Sequence, residues 1–146
     1  MEEKCISVNK DKAVKMMDEL IEEYRMSEKS LSRVLGVDKR IIENRHKASF
    51  TLPDSPDKYR SFLNRLLMLR FLPDDSPDLR VRAFLEVLLR EHRMSAASVA
   101  RISGLTEQDV LAFLRQDEGV SAETKYRIAS AVMVLRFLFQ AAEPEL

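Results

Sequence analysis

Cysteine is almost missing from this chain of 146 residues: its one residue, Cys5, has no second thiol to pair with. No internal disulfide forms, and nothing points to an oxidising compartment. With no basic pocket legible around it, Cys5 reads as incidental and not as a catalytic thiol. Three glycines and five prolines are too few for a linker-rich or collagen-like chain. An excess of one charge is missing too, since 24 Lys and Arg stand against 24 Asp and Glu. No global field draws the chain to polyanions, so any attraction to nucleic acid or anionic lipid must come from a local patch. Long apolar runs are also lacking. The most apolar stretch, Val132 to Phe139, is interrupted by Arg136 and falls far short of the ~20 residues a membrane span requires. The first residues, Met1-Glu2-Glu3-Lys4, start acidic and contain no signal-type apolar segment. A soluble, cytoplasmic protein is expected.

What the chain has is helical periodicity. Ala13, Val14, Met17, Leu20, Ile21 and Tyr24 fall on one face of a helix, and Leu85, Leu88, Leu89 and His92 repeat the pattern later. No stretch alternates apolar and polar residues, and the hairpin dipeptides Asn-Gly and Asp-Gly are absent. The fold is expected to be all-α. Ser55-Pro56-Asp57 and Ser76-Pro77-Asp78 each combine a capping serine, a proline at the first helical position and an acid in the first turn. Ser27, Asp38, Ser95, Thr106 and Ser121 are further capping positions, and Gly36 and Gly104 stand where a left-handed helix end is wanted.

The chain repeats itself. Tyr24-Arg25-Met26-Ser27 aligns with His92-Arg93-Met94-Ser95, and the same offset carries Leu31 to Val99, Arg33 to Arg101, Gly36 to Gly104 and Ile42 to Val110. Leu69-Arg70-Phe71-Leu72 aligns with Leu135-Arg136-Phe137-Leu138 near the end of each half. The short polar hinge Pro73-Asp74-Asp75-Ser76-Pro77 divides unit one, residues 1–73, from unit two, residues 74–146. Helices are expected at roughly 10–24, 27–35, 38–48 and 55–71, then at roughly 78–92, 95–103, 106–116 and 121–140. The units are small, so they are expected to share a core or dock together.

The second and third helices of each unit have helix-turn-helix spacing. In the second copy, Ala100 is the small residue at the helix crossing, Gly104 makes the turn, and Leu105, Val110 and Phe113 face inward. The first copy has Ser32, Gly36, Val37, Ile42 and Arg45 at these places. On these residues, Met26 to Ile42 and Met94 to Phe113, the chain resembles the Cro/lambda-repressor type of helix-turn-helix family, also called the xenobiotic-response-element type. The first copy departs from that pattern at Ser32, usually alanine, and at Arg45, usually apolar. The resemblance implies a DNA-binding regulator of the phage- or plasmid-repressor kind. Its second motif helix would enter the major groove, and the start of the first would contact phosphate.

The copies differ in charge. Val37 to Phe50 contains Lys39, Arg40, Arg45 and Lys47 against Asp38 and Glu43, whereas Leu105 to Glu118 contains only Arg115 against four acids. The first copy is therefore expected to face DNA. Lys39, Arg40, Asn44 and Lys47 would lie on the outward side of its recognition helix, with Ser27 and Lys29 positioning phosphate. Leu111, Ala112 and Leu114 in the second copy suit contact with a protein partner. Val134, Leu138 and Ala141 would supply a homodimer contact, because the last helix is apolar over more than one stripe. The competing reading is a non-catalytic protein-interaction module on a duplicated helix-turn-helix scaffold that no longer binds DNA.

Little speaks for catalysis or cofactors. Gly36, Gly104 and Gly119 are isolated, so no phosphate loop is present. His46 and His92 stand apart without a ligand set, so neither a metal site nor a cofactor is expected. Met16, Met17, Met68 and Met133 sit in apolar stripes and are expected to fill the core.

Overall fold

A computed structural model describes residues 9–142; Cys5 lies outside them. Those residues make an all-α fold. The chain divides into two compact units, Met1–Asp74 and Asp75–Leu146. Unit 1 contains α1 (Lys10–Glu22), α2 (Glu28–Leu35), α3 (Lys39–Glu43) and α4 (Pro56–Phe71), and ends in a 3₁₀ turn at Leu72–Asp74. Unit 2 contains α5 (Pro77–Arg90), α6 (Ala96–Ser103), α7 (Glu107–Leu114) and α8 (Ala122–Ala142).

The helices start where small polar side chains satisfy free amides. Ser27, Asp38, Ser55, Ser95 and Thr106 all accept a backbone N–H from their own first turn. Asn9 does the same for α1, and Ser121 accepts from Thr124 at 3.1 Å. Ser76 departs from expectation. It occupies the cap position ahead of Pro77, yet its side chain makes no capping bond. Two helices end on left-handed glycines, Gly36 and Gly104, both at φ 71°.

Two arginines take the same strained conformation. Arg25 (φ 57°) follows α1 and Arg93 (φ 56°) follows α5. The bonds from Met26 N–H to the Leu20 carbonyl (3.0 Å) and from Met94 N–H to the Leu88 carbonyl (3.1 Å) hold each chain end in that turn. Tyr24 consequently lies past the end of α1 and is exposed, not on its buried stripe.

Each unit closes a core from its own residues. In unit 1, α1 packs on α4, and α2 packs on both α3 and α4. Met17, Leu20, Leu31, Ile42, Phe62 and Leu66 are fully or almost fully enclosed there. In unit 2, α5 packs on α8, and α6 packs on α7 and α8, enclosing Leu85, Leu88, Val99, Val110, Ile128 and Val132. Two of the four methionines assigned to the core are not in it: Met17 is enclosed and Met16 half-buried, but Met68 and Met133 are exposed. Both exposed residues sit on the outer side of the last helix of their unit, where an apolar stripe is wider than the core it faces.

These helix ends carry a stability prediction. A side chain in the left-handed region costs ~1–2 kcal/mol, and glycine avoids that cost. Arg25→Gly and Arg93→Gly should each raise the unfolding free energy by about 1 kcal/mol in urea titrations. Gly104→Ala should lower it by about 1 kcal/mol, since a Cβ there also comes within 3.1 Å of Arg127. A lower midpoint for Arg25→Gly would mean that the arginine side chain holds more than its backbone strains.

Candidate nucleic-acid interface

The helix pair α2–α3 is built around its turn. Ser32, the small residue at the crossing, is buried, and its hydroxyl donates to the Lys29 carbonyl at 2.8 Å. Gly36 then reverses the chain, and Val37 N–H donates to the Ser32 carbonyl at 3.0 Å. Asp38 opens α3 by accepting the Arg40 N–H at 2.9 Å. That backbone bond, with a second bond from the Arg40 side chain, holds the Asp38 carboxyl below its usual range.

The residues expected to meet DNA are set out unevenly. Lys39 and Arg40 stand exposed on the first turn of α3, and Lys29 stands exposed on the first turn of α2, which packs against it. Ser27 caps α2, its oxygen accepting from Ser30 N–H at 3.0 Å while its hydroxyl donates to Ser30 Oγ, so part of its capacity is already used. Lys39 Nζ reaches Glu43 at 3.3 Å, and Arg40 Nε reaches Asp38 at 3.4 Å. Each cation of this turn thus has an acidic neighbour on its own segment, which weakens the outward field.

The expected recognition helix at 38–48 is much shorter than its sequence suggests. It spans only Lys39–Glu43, and Asn44 caps its end, half-buried. Lys47 does not lie on the helix. It lies exposed in the turns that follow, where Lys47 N–H donates to the Asn44 carbonyl and Phe50 N–H to the Lys47 carbonyl, both at 3.0 Å. The cause is Arg45. Its side chain is only 9% exposed; Nε donates to Asp18 at 2.7 Å and Nη1 to the Ile42 carbonyl at 2.9 Å. The guanidinium caps α3 from inside and draws the chain inward. His46 Nε2 joins the same Asp18 oxygen at 2.9 Å. This cluster was missed in the sequence, although Arg45 was the visible oddity: a charged residue where an apolar one packs.

Unit 2 presents the contrasting surface. Thr106 and Asp109 form a reciprocal capping box, with Asp109 N–H donating to Thr106 Oγ1 at 3.2 Å and Thr106 N–H to the Asp109 carboxylate at 3.0 Å. The outward first turn of α7 shows Glu107 and Gln108. Phe113 fills the core where unit 1 has Arg45, and α7 runs on to Leu114. Arg115 is paired to Asp117 at 2.9 Å. Leu111 and Ala112 are half-buried, and Leu114 packs on the core, so this trio is not the open docking face its composition suggests. Apart from Leu79 on α5 and Ile102 on α6, the open large apolar side chains of unit 2 lie on α8. Val134 and Leu138 are about half exposed and Ala141 is exposed, joined by Tyr126, Met133 and Phe137.

No group of three or more His, Cys, Asp or Glu among the described residues is arranged to hold a metal ion, and no described helix is long and apolar enough to cross a membrane. Two short helices joined through a left-handed glycine, with a small residue at their crossing, define a helix-turn-helix protein. A family model described as a helix-turn-helix domain matches residues 8–145, and the chain belongs to that family. No curated protein and no solved structure matches it. Membership makes a non-enzymatic DNA-binding regulator the expected class.

Two outcomes follow from this geometry. Arg45→Ala leaves Asp18 without its closest cation and should cost about 2 kcal/mol in chemical denaturation, below the value for a fully enclosed pair because Asp18 keeps some contact with water. The second concerns acid. The Thr106 N–H and hydroxyl hold the Asp109 carboxyl below its usual range, as the Arg40 bonds hold Asp38. Their folded-state values are lower than their unfolded ones. The stability they contribute is therefore complete above the ordinary carboxylate range and is lost as pH falls through the folded values. Asp38→Asn and Asp109→Asn should each flatten the fall in unfolding free energy below about pH 4. An unchanged slope in both would place the acid sensitivity elsewhere.

Proposed function

We propose that the chain is a soluble, cytoplasmic transcription regulator of the phage- or plasmid-repressor type that reads duplex DNA through unit 1. In this reading the units are tandem copies of one scaffold, and only the first keeps a surface that accepts phosphate. The observation that carries it is the contrast between equivalent turns: exposed Lys39 and Arg40 on α3, against Glu107 and Gln108 on α7. Lys39 and Arg40 would enter the groove from the first turn, where relatives of this type meet base edges, and Asn44 would reach adenine. Lys29, Lys47 and the Ser27 helix start would hold phosphates on either side. A phosphate approaching Lys39 has to compete with Glu43, so binding is expected to be weak on arbitrary sequence and strongly salt-dependent.

A second reading has its own support. α3 has only five residues, and both cations of its first turn have acidic neighbours. A helix-turn-helix scaffold with such a surface can serve as a protein-interaction module that has given up DNA. Fluorescence anisotropy with generic duplex DNA across a salt series separates the two. The regulator binds with an affinity that falls steeply with salt. Arg40→Ala and Lys47→Ala weaken it, each lost phosphate contact flattening the slope of log K against log salt by roughly 0.9. Arg115→Ala in unit 2 leaves binding unchanged. Equal losses in the Arg40 and Arg115 variants would remove the contact from unit 1, and no binding at low salt would leave the interaction module.

A further inference from the structure

α8 keeps one face for its own core and leaves the other open. Ile128, Ala131 and Val132 point inward and are buried. The opposite side carries Tyr126 (77% exposed), Met133 (68%), Val134 (49%), Phe137 (68%) and Leu138 (54%). At the helical period these residues, with Ser130 and Ala141, form one continuous stripe, and none of them is charged. Arg127 falls within the same arc near the start of α8, where its charge is paired with Glu123 at 3.3 Å. Toward the start of α8 the stripe runs into an open groove of about 520 Å³ walled by Ile102 of α6 with Tyr126, Ser130 and Val134, and by the paired charges Glu123 and Arg127.

We infer that this face binds a second copy of the chain, with two α8 helices antiparallel about a two-fold axis level with Ala131 and Val132. An isologous contact needs a projection and its recess on one surface, equally far from the axis. With the axis at this level, Phe137 of one copy stands opposite Tyr126 of the other, and the recess beside Tyr126 toward Ile102 lies next to that contact. The two-fold stacks Phe137 of each copy against Tyr126 of the other, at the edge of the Ile102 groove, and sets the small Ser130 opposite Met133. The stripe brings no like charges together. Together with Ile102 it exposes on the order of 600 Å² of apolar surface, near the ~800 Å² per partner of a standard stable interface. That is at the upper end of the ~300–600 Å² typical of the largest patch on a monomer. The contact uses unit 2 alone and stands whether or not unit 1 binds DNA.

Sedimentation of the full chain at micromolar concentration tests it. The expected mass is about twice the 16.9 kDa of one chain. Phe137→Glu, and separately Met133→Lys, should return it to 16.9 kDa with unchanged helical circular dichroism, because both side chains are exposed and outside the core. Arg40→Ala should stay dimeric. For orientation, Ala141→Cys in a Cys5→Ser background takes one spin label per chain. At a rise of ~1.5 Å per residue, antiparallel helices hold the labels roughly 28 Å apart along the axis, whereas parallel ones bring them within ~10 Å. A monomer at every concentration, a dimer that survives both charge substitutions, or the short label distance each overturns the proposal.

Discussion

The reversal at Gly36 and Gly104 is the constraint on which both units depend. An eight-residue helix is marginal alone and persists only when an apolar face is covered. α2 and α6 are covered because the next helix is turned back across them within three residues of their last turn. That turn needs φ near 71°, where a Cβ is strained and glycine is not. The bonds it permits, Val37 N–H to Ser32 and Leu105 N–H to Ala100, tie the turn to the very residue at the helix crossing. Ile42 and Val110 are then delivered into the two cores, and the first turns of α3 and α7 are left facing outward.

On that shared frame one substitution of residue type separates the units. Phe113 needs only an apolar recess, so α7 continues to Leu114 while its side chain packs. Arg45 at the equivalent place brings a charge into the interior, and a buried charge is tolerated only with partners. Asp18 and the Ile42 carbonyl supply them, and meeting the carbonyl ends α3 after Glu43. The same event that satisfies the guanidinium thus shortens the outward helix and moves Lys47 into the following turns. The basic character of unit 1 is spread over two short helices and a turn, not along a single helix face, which suits phosphate contact better than extended base readout.

Unit 2 trades in the opposite currency. Its outward first turn is acidic and internally satisfied by the Thr106–Asp109 box, while its last helix is long and apolar on both sides. A three-helix neighbourhood can cover only part of a helix circumference, so the apolar residues beyond that arc stay in water unless another surface arrives. The exposed basic turn at Lys39 and Arg40 belongs to unit 1 and the long apolar stripe of α8 to unit 2, although single exposed apolar side chains such as Phe71 and Leu72 occur in unit 1 as well.

By itself the sequence determined the local events. The caps at Ser27, Asp38, Ser55, Ser95 and Thr106, the glycine turns and the inward stripes through Met17, Leu20, Leu85 and Leu88 were legible, because each depends on residues within a few positions of one another. The charge contrast between the motif helices was legible for the same reason. Only the tertiary structure decided the rest. Arg45 meets Asp18 across 27 positions, and nothing in the local pattern says that a charged residue will turn inward and end its helix. The helical period places Met133 and Phe137 in apolar stripes, but it does not say which arc of a wide stripe the core will reach. Their exposure follows from the limited number of helices in one small unit, and that limit is a property of packing and not of any residue in the stripe.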